Sequence, residues 1–350
     1  MPVRVERVAG AAFLAFPEMV ALLASELSGR FGYGVVSPAL TVDGAAFSAG
    51  AARWYGDLLY CPDFSVQTDA DGSPVTPYWS RTTLIEPFLL RFDSIGEAAN
   101  ALRDIQRNWA PYQYTCFRRA ALVQERLPHL SLRARTFPAE IPHSPMGIFT
   151  LLDAHTILAS ARTSSALPAG TLRFEEDHEG PPSRAYLKLQ EALVMTRHIF
   201  GTAFPGAGQR CFEAGASPGG WTWVLRQLGA EVLAVDRAEL APALMADAHV
   251  SFVAHDAFTL APQDVCARLR CETVDWVLSD VICYPERLYE WVQTWLASGR
   301  ARTMLCTIKM QGAIDWLLVA RFAALPRSRV LHLNYNKHEL TWIHAGEYPA

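Results

Sequence analysis

Five acids and two lysines in the second half of the chain stand where chemistry would need them. Of the 31 Lys plus Arg residues only three are lysine: Lys188, Lys309 and Lys337. Arginine stays protonated in a protein, whereas lysine can give up its proton. A lysine in so arginine-biased a chain therefore marks a place where a deprotonatable amine has a use. Lys188 precedes Glu213 by 25 residues, and Lys309 ends an apolar run. Glu213, Asp236, Asp256 and Asp280 lie at or just past the ends of four successive strand-like segments, and Glu339 lies at the start of the last one.

Acids at successive strand ends converge on one edge of a parallel sheet, the usual place for a nucleoside ligand. Four of them suit hydroxyl and amine donors better than a pyrophosphate, which favours S-adenosylmethionine over a nicotinamide dinucleotide. Between Glu213 and the next helix runs Gly215-Ala216-Ser217-Pro218-Gly219-Gly220-Trp221, a glycine turn that is not the GxGxxG fingerprint. Candidate cofactor contacts are thus Glu213, Gly215, Ser217, Pro218, Gly219, Gly220, Trp221, Asp236, Asp256 and Asp280. Taken singly, each acid could instead cap the helix that follows it. Trp221 and Trp223 read as core more readily than as stacking platforms.

The elements that must hold these residues alternate in the βα manner. Strands are expected over residues 209–213, 231–236, 250–255, 274–279, 304–308, 330–335 and 340–344. Helices are expected over 186–200, 219–228, 240–246, 285–297 and 311–324. This pattern predicts an α/β fold with a mainly parallel sheet covered on both faces, Rossmann-like in plan. The hairpin-sized gap at 336–338 predicts an antiparallel strand closing one edge. Residues 166–183, rich in Pro, Gly and acids, read as a linker between an accessory domain at 1–165 and a ligand-binding domain at 184–350. The first half reads as mixed α/β, with a strand over 82–90 and a helix over 91–109.

Composition narrows the class. Apolar residues make up 51% and charged residues 19%, as in a globular protein. Net charge is −4: residues 1–180 carry 15 basic against 19 acidic side chains, and residues 181–350 carry 16 of each. That is not the strongly basic footprint of a general nucleic-acid binder, so a polyanion would be held by a local patch. The seven cysteines contain no CxxC pair and read as reduced thiols of a cytoplasmic protein, not as metal ligands or disulfides. The apolar stretch at 11–24 is broken by Pro17 and Glu18 and is too short for a membrane span.

The quartet Lys188, Asp280, Lys309 and Glu339 resembles the Lys-Asp-Lys-Glu signature of the FtsJ-like RNA 2′-O-methyltransferases. The resemblance is carried by residues 182–192, the loop 215–223, Asp236, residues 276–280, 295–299, 308–310 and 338–341. It is greatest toward the bacterial branch acting on a cytidine of 23S rRNA. It implies a methyltransferase domain using S-adenosyl-L-methionine, an RNA partner (23S rRNA or a precursor particle), and a THUMP-like RNA-binding portion in the first half. Two positions depart from the pattern: Glu213 stands where the family commonly has Asp, and Ala185 where the similar proteins have a cofactor-side serine.

The four side chains suit this reaction. A ribose 2′-hydroxyl must lose its proton as it attacks a sulfonium methyl, and a neutral lysine can take it. Lys309 is the expected general base, Lys188 a nearby positive charge, and Asp280 and Glu339 the groups that orient both amines. The bland readings are a solvated helix pair for Lys188 and Glu191, a surface position for Lys309 and a hairpin-flanking charge for Glu339. An O-methyltransferase for another RNA or a small molecule, or a low-turnover cofactor-binding RNA protein, are the alternatives. In the first half, Arg103, Arg107, Arg118, Arg119 and Arg126 interleave with Trp109, Tyr112, Tyr114 and Phe117. That mixture suits unpaired bases and phosphates, or else a charged helix face followed by core aromatics.

Overall fold

The computed structural model describes residues 3–35, 50–69 and 72–346. Its contacts divide the chain into two compact units. One comprises Met1–Ala134 and Ile141–Arg173; the other comprises Arg135–Glu140 and Phe174–Ala350. No helix among the described residues is long and apolar enough to cross a membrane.

In chain order the first unit holds β1 (Arg4–Arg7), β2 (Ala11–Ala15), α1 (Val20–Phe31), β3 (Arg53–Tyr55), β4 (Leu58–Cys61), β5 (Ser80–Ile85), β6 (Phe88–Arg91), α2 (Ile95–Ile105), β7 (Trp109–Pro111), α3 (Phe117–Glu125), β8 (Gly147–Leu151), β9 (Thr156–Ser160) and β10 (Arg162–Thr163). They form two five-stranded sheets, ordered β1-β6-β9-β8-β7 and β10-β5-β2-β4-β3. The strand expected over 82–90 is in fact two. Glu86 turns the chain with a φ of 54° ahead of Pro87, and β5 and β6 enter different sheets. The helix expected over 91–109 shrinks to α2. Ser94 accepts the Glu97 N–H at 3.3 Å while the Glu97 carboxylate accepts the Ser94 N–H at 3.0 Å, so the helix starts at this capping box.

The basic-aromatic run does not form a platform. Trp109 is fully buried, its indole N–H bonded to the Leu102 carbonyl at 2.8 Å. The Tyr112 hydroxyl accepts the Asp57 N–H at 2.6 Å, and Tyr114 packs edge-on to Tyr55. Phe117 alone of the four aromatics is well exposed. Trp109 packs in one core with residues of α2 and α3, while the half-buried Tyr112 and Tyr114 pack against the other around Tyr55 and Leu58, so the core-aromatic alternative describes these three rings.

The second unit contains α4 (Ala185–Phe200), β11 (Arg210–Ala214), α5 (Gly220–Gln227), β12 (Glu231–Asp236), α6 (Pro242–Met245), β13 (Val250–Ala254), α7 (Pro262–Leu269), β14 (Val274–Ser279), α8 (Pro285–Ser298), β15 (Ala301–Lys309), α9 (Trp316–Ala323), β16 (Ser328–Leu331) and β17 (Glu339–Ala345). One seven-stranded sheet runs β13-β12-β11-β14-β15-β17-β16. Strands β11 to β15 are mutually parallel, and β17 is antiparallel to both neighbours. β11 is flanked by β12 on one side and β14 on the other. The strand order therefore reverses there and opens a crevice at the carboxyl ends.

Three expectations needed correction here. The antiparallel strand does not close the edge: β17 inserts between β15 and β16, leaving β16 outermost. The strand expected at 330–335 ends at Leu331, because the backbone of Asn334 and Tyr335 bonds to a buried carboxylate instead of a ladder. Helix α7 was not anticipated, being only eight residues and started by Pro262. A remote piece, Arg135–Glu140, also joins this unit: Phe137 meets the rings of Phe174 and Phe204, and the Glu140 carboxylate accepts from Arg197 at 2.8 Å.

Candidate active site

The inserted strand explains how one acid reaches the site. Because β17 runs against β15, its first residue lies beside the last residue of β15, and the register pairs Lys309 with Glu339. Asp280 follows the end of β14 directly, and Lys188 projects from the first turn of α4. Four elements far apart in sequence thus bring four charges together.

Their geometry is a shared clamp. Asp280 Oδ1 accepts from Lys188 Nζ at 3.2 Å and from Lys309 Nζ at 3.1 Å. Asp280 Oδ2 lies 3.4 Å from Lys188, and Glu339 Oε1 makes a further close ion pair with Lys188. Lys188 therefore has two carboxylate partners and Lys309 has one. Burial pushes the Lys188 pKa down, but Asp280 and Glu339 outweigh it and hold the amine above its ordinary value. Lys188 is a fixed cation.

The solvated Lys188–Glu191 pair does not exist. Glu191 is buried on the inner side of α4, where it accepts from the Asn334 N–H at 2.9 Å, its side-chain amide at 2.8 Å and the Tyr335 N–H at 3.0 Å. This carboxylate anchors the turn between β16 and β17, and so the strand that carries Glu339. Burial raises its pKa to about 7 against the pull of those three donors. In the sequence Glu191 is one of three polar residues, with Lys188 and Gln190, in the run from Tyr186 to Val194, all of which is buried.

The loop after β11 is built for close approach. Gly215 has a φ of 79°, and a Cβ there would meet Val281 Cγ2 at 2.7 Å and the Val281 backbone at 3.1 Å. Ser217 precedes Pro218 through a cis peptide. The Ser217 N–H and the Ala238 N–H are both accepted by the Asp236 carboxylate, at 3.0 and 3.1 Å, so the end of β12 braces the loop. Gly219 has a φ of 111°, and Gly220 opens α5 against Ser183, whose Oγ would lie 2.4 Å from an added Cβ. Helix α5 therefore begins with backbone N–H groups turned toward the crevice side of the loop.

Gly219→Ala combines a disfavoured φ with a Cβ 2.3 Å from Leu244 Cδ1. It is expected to cost about 1–3 kcal/mol and to lower the thermal unfolding midpoint. Gly201→Ala makes the comparison: its φ is also positive, at 72°, but nothing lies within 4 Å of the added Cβ. It should lose less, and equal losses would mean the Leu244 contact is irrelevant.

Other expected site residues are occupied differently. Glu213 is buried and accepts the Thr222 hydroxyl at 2.5 Å, under α5. Burial raises its pKa to about 8; the Thr222 hydroxyl opposes this and the Asp280 and Asp236 charges add to it. Trp221 is buried, with its indole N–H bonded to the Ala185 carbonyl at 3.0 Å, so its ring ties α5 to α4 and only its backbone faces the loop. Asp256 caps the turn at Phe258 and is gripped by Arg237 at 3.0 Å and Arg287 at 3.1 Å. Burial would raise its pKa, but these partners hold it below the carboxylate norm. Asp256 is thus an N-cap as well as a strand-end acid, with three partners on its carboxylate.

A seven-stranded sheet with one inserted antiparallel strand, a glycine loop after β11 and a Lys-Asp-Lys-Glu cluster at its strand ends defines a Rossmann-like α/β domain. Residues 181–302 match the family described as FtsJ-like methyltransferase. Several curated relatives share the name "Ribosomal RNA large subunit methyltransferase M". That of Alkalilimnicola ehrlichii is 34% identical over 204 residues, covering 57% of this chain and 54% of the relative. That of Aromatoleum aromaticum is 37% identical over 45% of this chain and 44% of its own. That of Halorhodospira halophila is 34% identical over 45% and 43%. The chain spans about half the length of the curated relatives it matches.

Proposed function

We propose that the protein transfers the methyl group of S-adenosyl-L-methionine to a ribose 2′-oxygen of RNA, with a cytidine of 23S rRNA, free or in a precursor particle, as the substrate. One observation carries the reading: a single oxygen of Asp280 accepts from both lysine amines, while Glu339 engages only Lys188. The loop fits the donor. Gly215 lets the loop pack directly against Val281, Gly219 and Gly220 open a helix N-terminus, and Asp236 and Asp280 stand at the ends of β12 and β14, on either side of β11. When bound, S-adenosylmethionine supplies an electrophilic methyl on sulfonium.

This chain's own residues do the rest. Lys309, with one shared carboxylate partner, takes the proton of the 2′-hydroxyl as that oxygen becomes a nucleophile. Asp280 fixes the direction of the Lys309 amine. Lys188 is a permanent cation beside the reacting hydroxyl, stabilising negative charge as it develops on oxygen. Glu339 balances the Lys188 charge through an ion pair of its own. The relatives' shared name supports rRNA as the acceptor.

The test is incubation of labelled S-adenosylmethionine with total RNA from cells lacking this protein, followed by nucleoside mass spectrometry. The expected product is 2′-O-methylcytidine in 23S rRNA. Label in a base-methylated nucleoside, or none in RNA despite measurable cofactor binding, would refute the assignment.

A further inference from the structure

We infer that Tyr284, with Ile282 and Leu317, forms a docking rim on which an unpaired nucleobase of the substrate RNA stacks. The inference rests on the reading above and names the surface that presents the nucleotide to the lysines. Among the described residues, four large apolar side chains of the second unit stand exposed: Met245 at 40%, Ile282 at 78%, Tyr284 at 65% and Leu317 at 80%. A single exposed apolar side chain means little. Here the three most exposed lie on the two segments that leave β14 and β15, at whose ends Asp280 and Lys309 stand. Ile282 and Tyr284 come two and four residues after Asp280, in the loop leaving β14. Leu317 is the second residue of α9, which follows Lys309 at the end of β15.

These two departures lie side by side. β14 and β15 are adjacent parallel strands, their ends joined by the Asp280–Lys309 ion pair at 3.1 Å. The helices they lead into pack together, with the Tyr289 ring of α8 edge-on to Phe322 of α9 at 4.9 Å.

Both sites are also held rigidly. Tyr284 precedes Pro285, which confines its backbone, and it sits at φ −66° and ψ 142° ahead of α8. The Leu317 N–H is fixed by the Asp315 carboxylate at 2.9 Å. A rigid aromatic edge with aliphatic neighbours, left in water beside a polar catalytic cluster, matches the two ends of a nucleotide. The ribose hydroxyl faces the amines, and the base, one sugar away, needs an apolar surface. Only an unpaired base offers its flat face, and stacking of this kind tolerates any base. The rim is an open edge, which suits a chain ligand that continues past it.

The experiment compares wild type with Tyr284→Ala, Tyr284→Trp and Leu317→Glu. The readouts are methyl transfer to total RNA from cells lacking the protein, binding of fluorescein-labelled oligocytidylate, and affinity for S-adenosylmethionine. Tyr284→Ala should lower kcat/KM for RNA by about tenfold to a hundredfold and weaken oligonucleotide binding, with cofactor affinity unchanged. Tyr284→Trp should keep both, and Leu317→Glu should weaken RNA binding by placing a carboxylate against phosphates. Both side chains are largely in water, so folding does not confound the result. If wild type methylates RNA and Tyr284→Ala stays within about twofold of it, the docking rim is wrong and the proposed reaction stands. If Tyr284→Ala loses cofactor affinity as well, the residue shapes the cofactor site and the inference also fails. If wild type binds cofactor but neither binds nor methylates RNA, the proposed reaction falls, and the rim with it.

Discussion

Lys309→Ala is expected to lower kcat by about 10²–10⁴, the usual contribution of a positioned general base, while cofactor affinity and fold survive. The geometry makes this the cleaner of the two lysine deletions. Without Lys309, Asp280 still pairs with Lys188 at 3.2 Å and no carboxylate in the cluster is left unpaired. Without Lys188, Glu339 loses its ion pair and Asp280 one of two, in a largely buried setting. Stranding charge in that way costs about 3–5 kcal/mol, so a Lys188 variant would mix lost structure with lost catalysis. Lys309→Arg then separates base from charge. Arginine keeps the cation but cannot be deprotonated, so it should be as inactive as alanine if the amine takes a proton. Recovery with arginine would show that charge alone is required. Single-turnover methyl transfer at saturating RNA gives the number, and cofactor titration checks that binding is intact.

The sequence revealed the charges that meet, and missed those that are consumed locally. Lys188, Asp280, Lys309 and Glu339 stood out because deprotonatable amines are scarce here and because acids at strand ends on one sheet edge must converge. Their meeting depends on topology that alternation already implied for β11 to β15. The insertion of β17 was not legible: a three-residue gap looks like a hairpin, and nothing local tells a hairpin strand to enter the sheet rather than close it. What lets β16 stop early is Glu191, a residue 143 positions before Asn334 in the chain. Asp256 stands out for the same reason as Asp236, and the part not legible was its cap and its ion pairs. Its partner Arg287 lies 31 residues away on α8, beyond any local pattern. The aromatics near α3 left two readings open. Interleaved Arg and aromatic residues can stack on a base or fill a core, and only burial distinguishes the two for Trp109.

Those same buried acids give the second large effect, a stability that falls as pH rises from about 6.5 to 8. Glu213 holds its proton in the folded chain up to about 8 and Glu191 up to about 7, against 4.5 for an ordinary glutamate. The folded state therefore binds more protons than the unfolded one across that interval. Stability conferred by a raised pKa is full below the unfolded value and lost as pH climbs through the folded one. Two histidines act the other way. Burial lowers His332 to about 4 and also lowers His344, so folding releases protons below 6.5 and stability rises with pH there. Below about 6.5 the two pairs oppose each other and the profile is shallow. Above it the histidines are neutral in both states and the buried glutamates decide, Glu26, also raised by burial, acting in the same sense. Lys188, raised above its ordinary 10.5, loses its contribution only at far higher pH. At 1.36 kcal/mol per pH unit for each proton, the loss between pH 6.5 and 8 comes to about 2–3 kcal/mol, most of it from Glu213. Urea unfolding read on amide exchange in β11 should show the decline in wild type. In Glu213→Gln, which keeps an acceptor for the Thr222 hydroxyl but has no proton to lose, the slope should fall by more than half. An unchanged slope in that variant would mean Glu213 is ionised within the fold. In that case a buried charge, rather than a buried acid, would lie beneath the loop that opens α5.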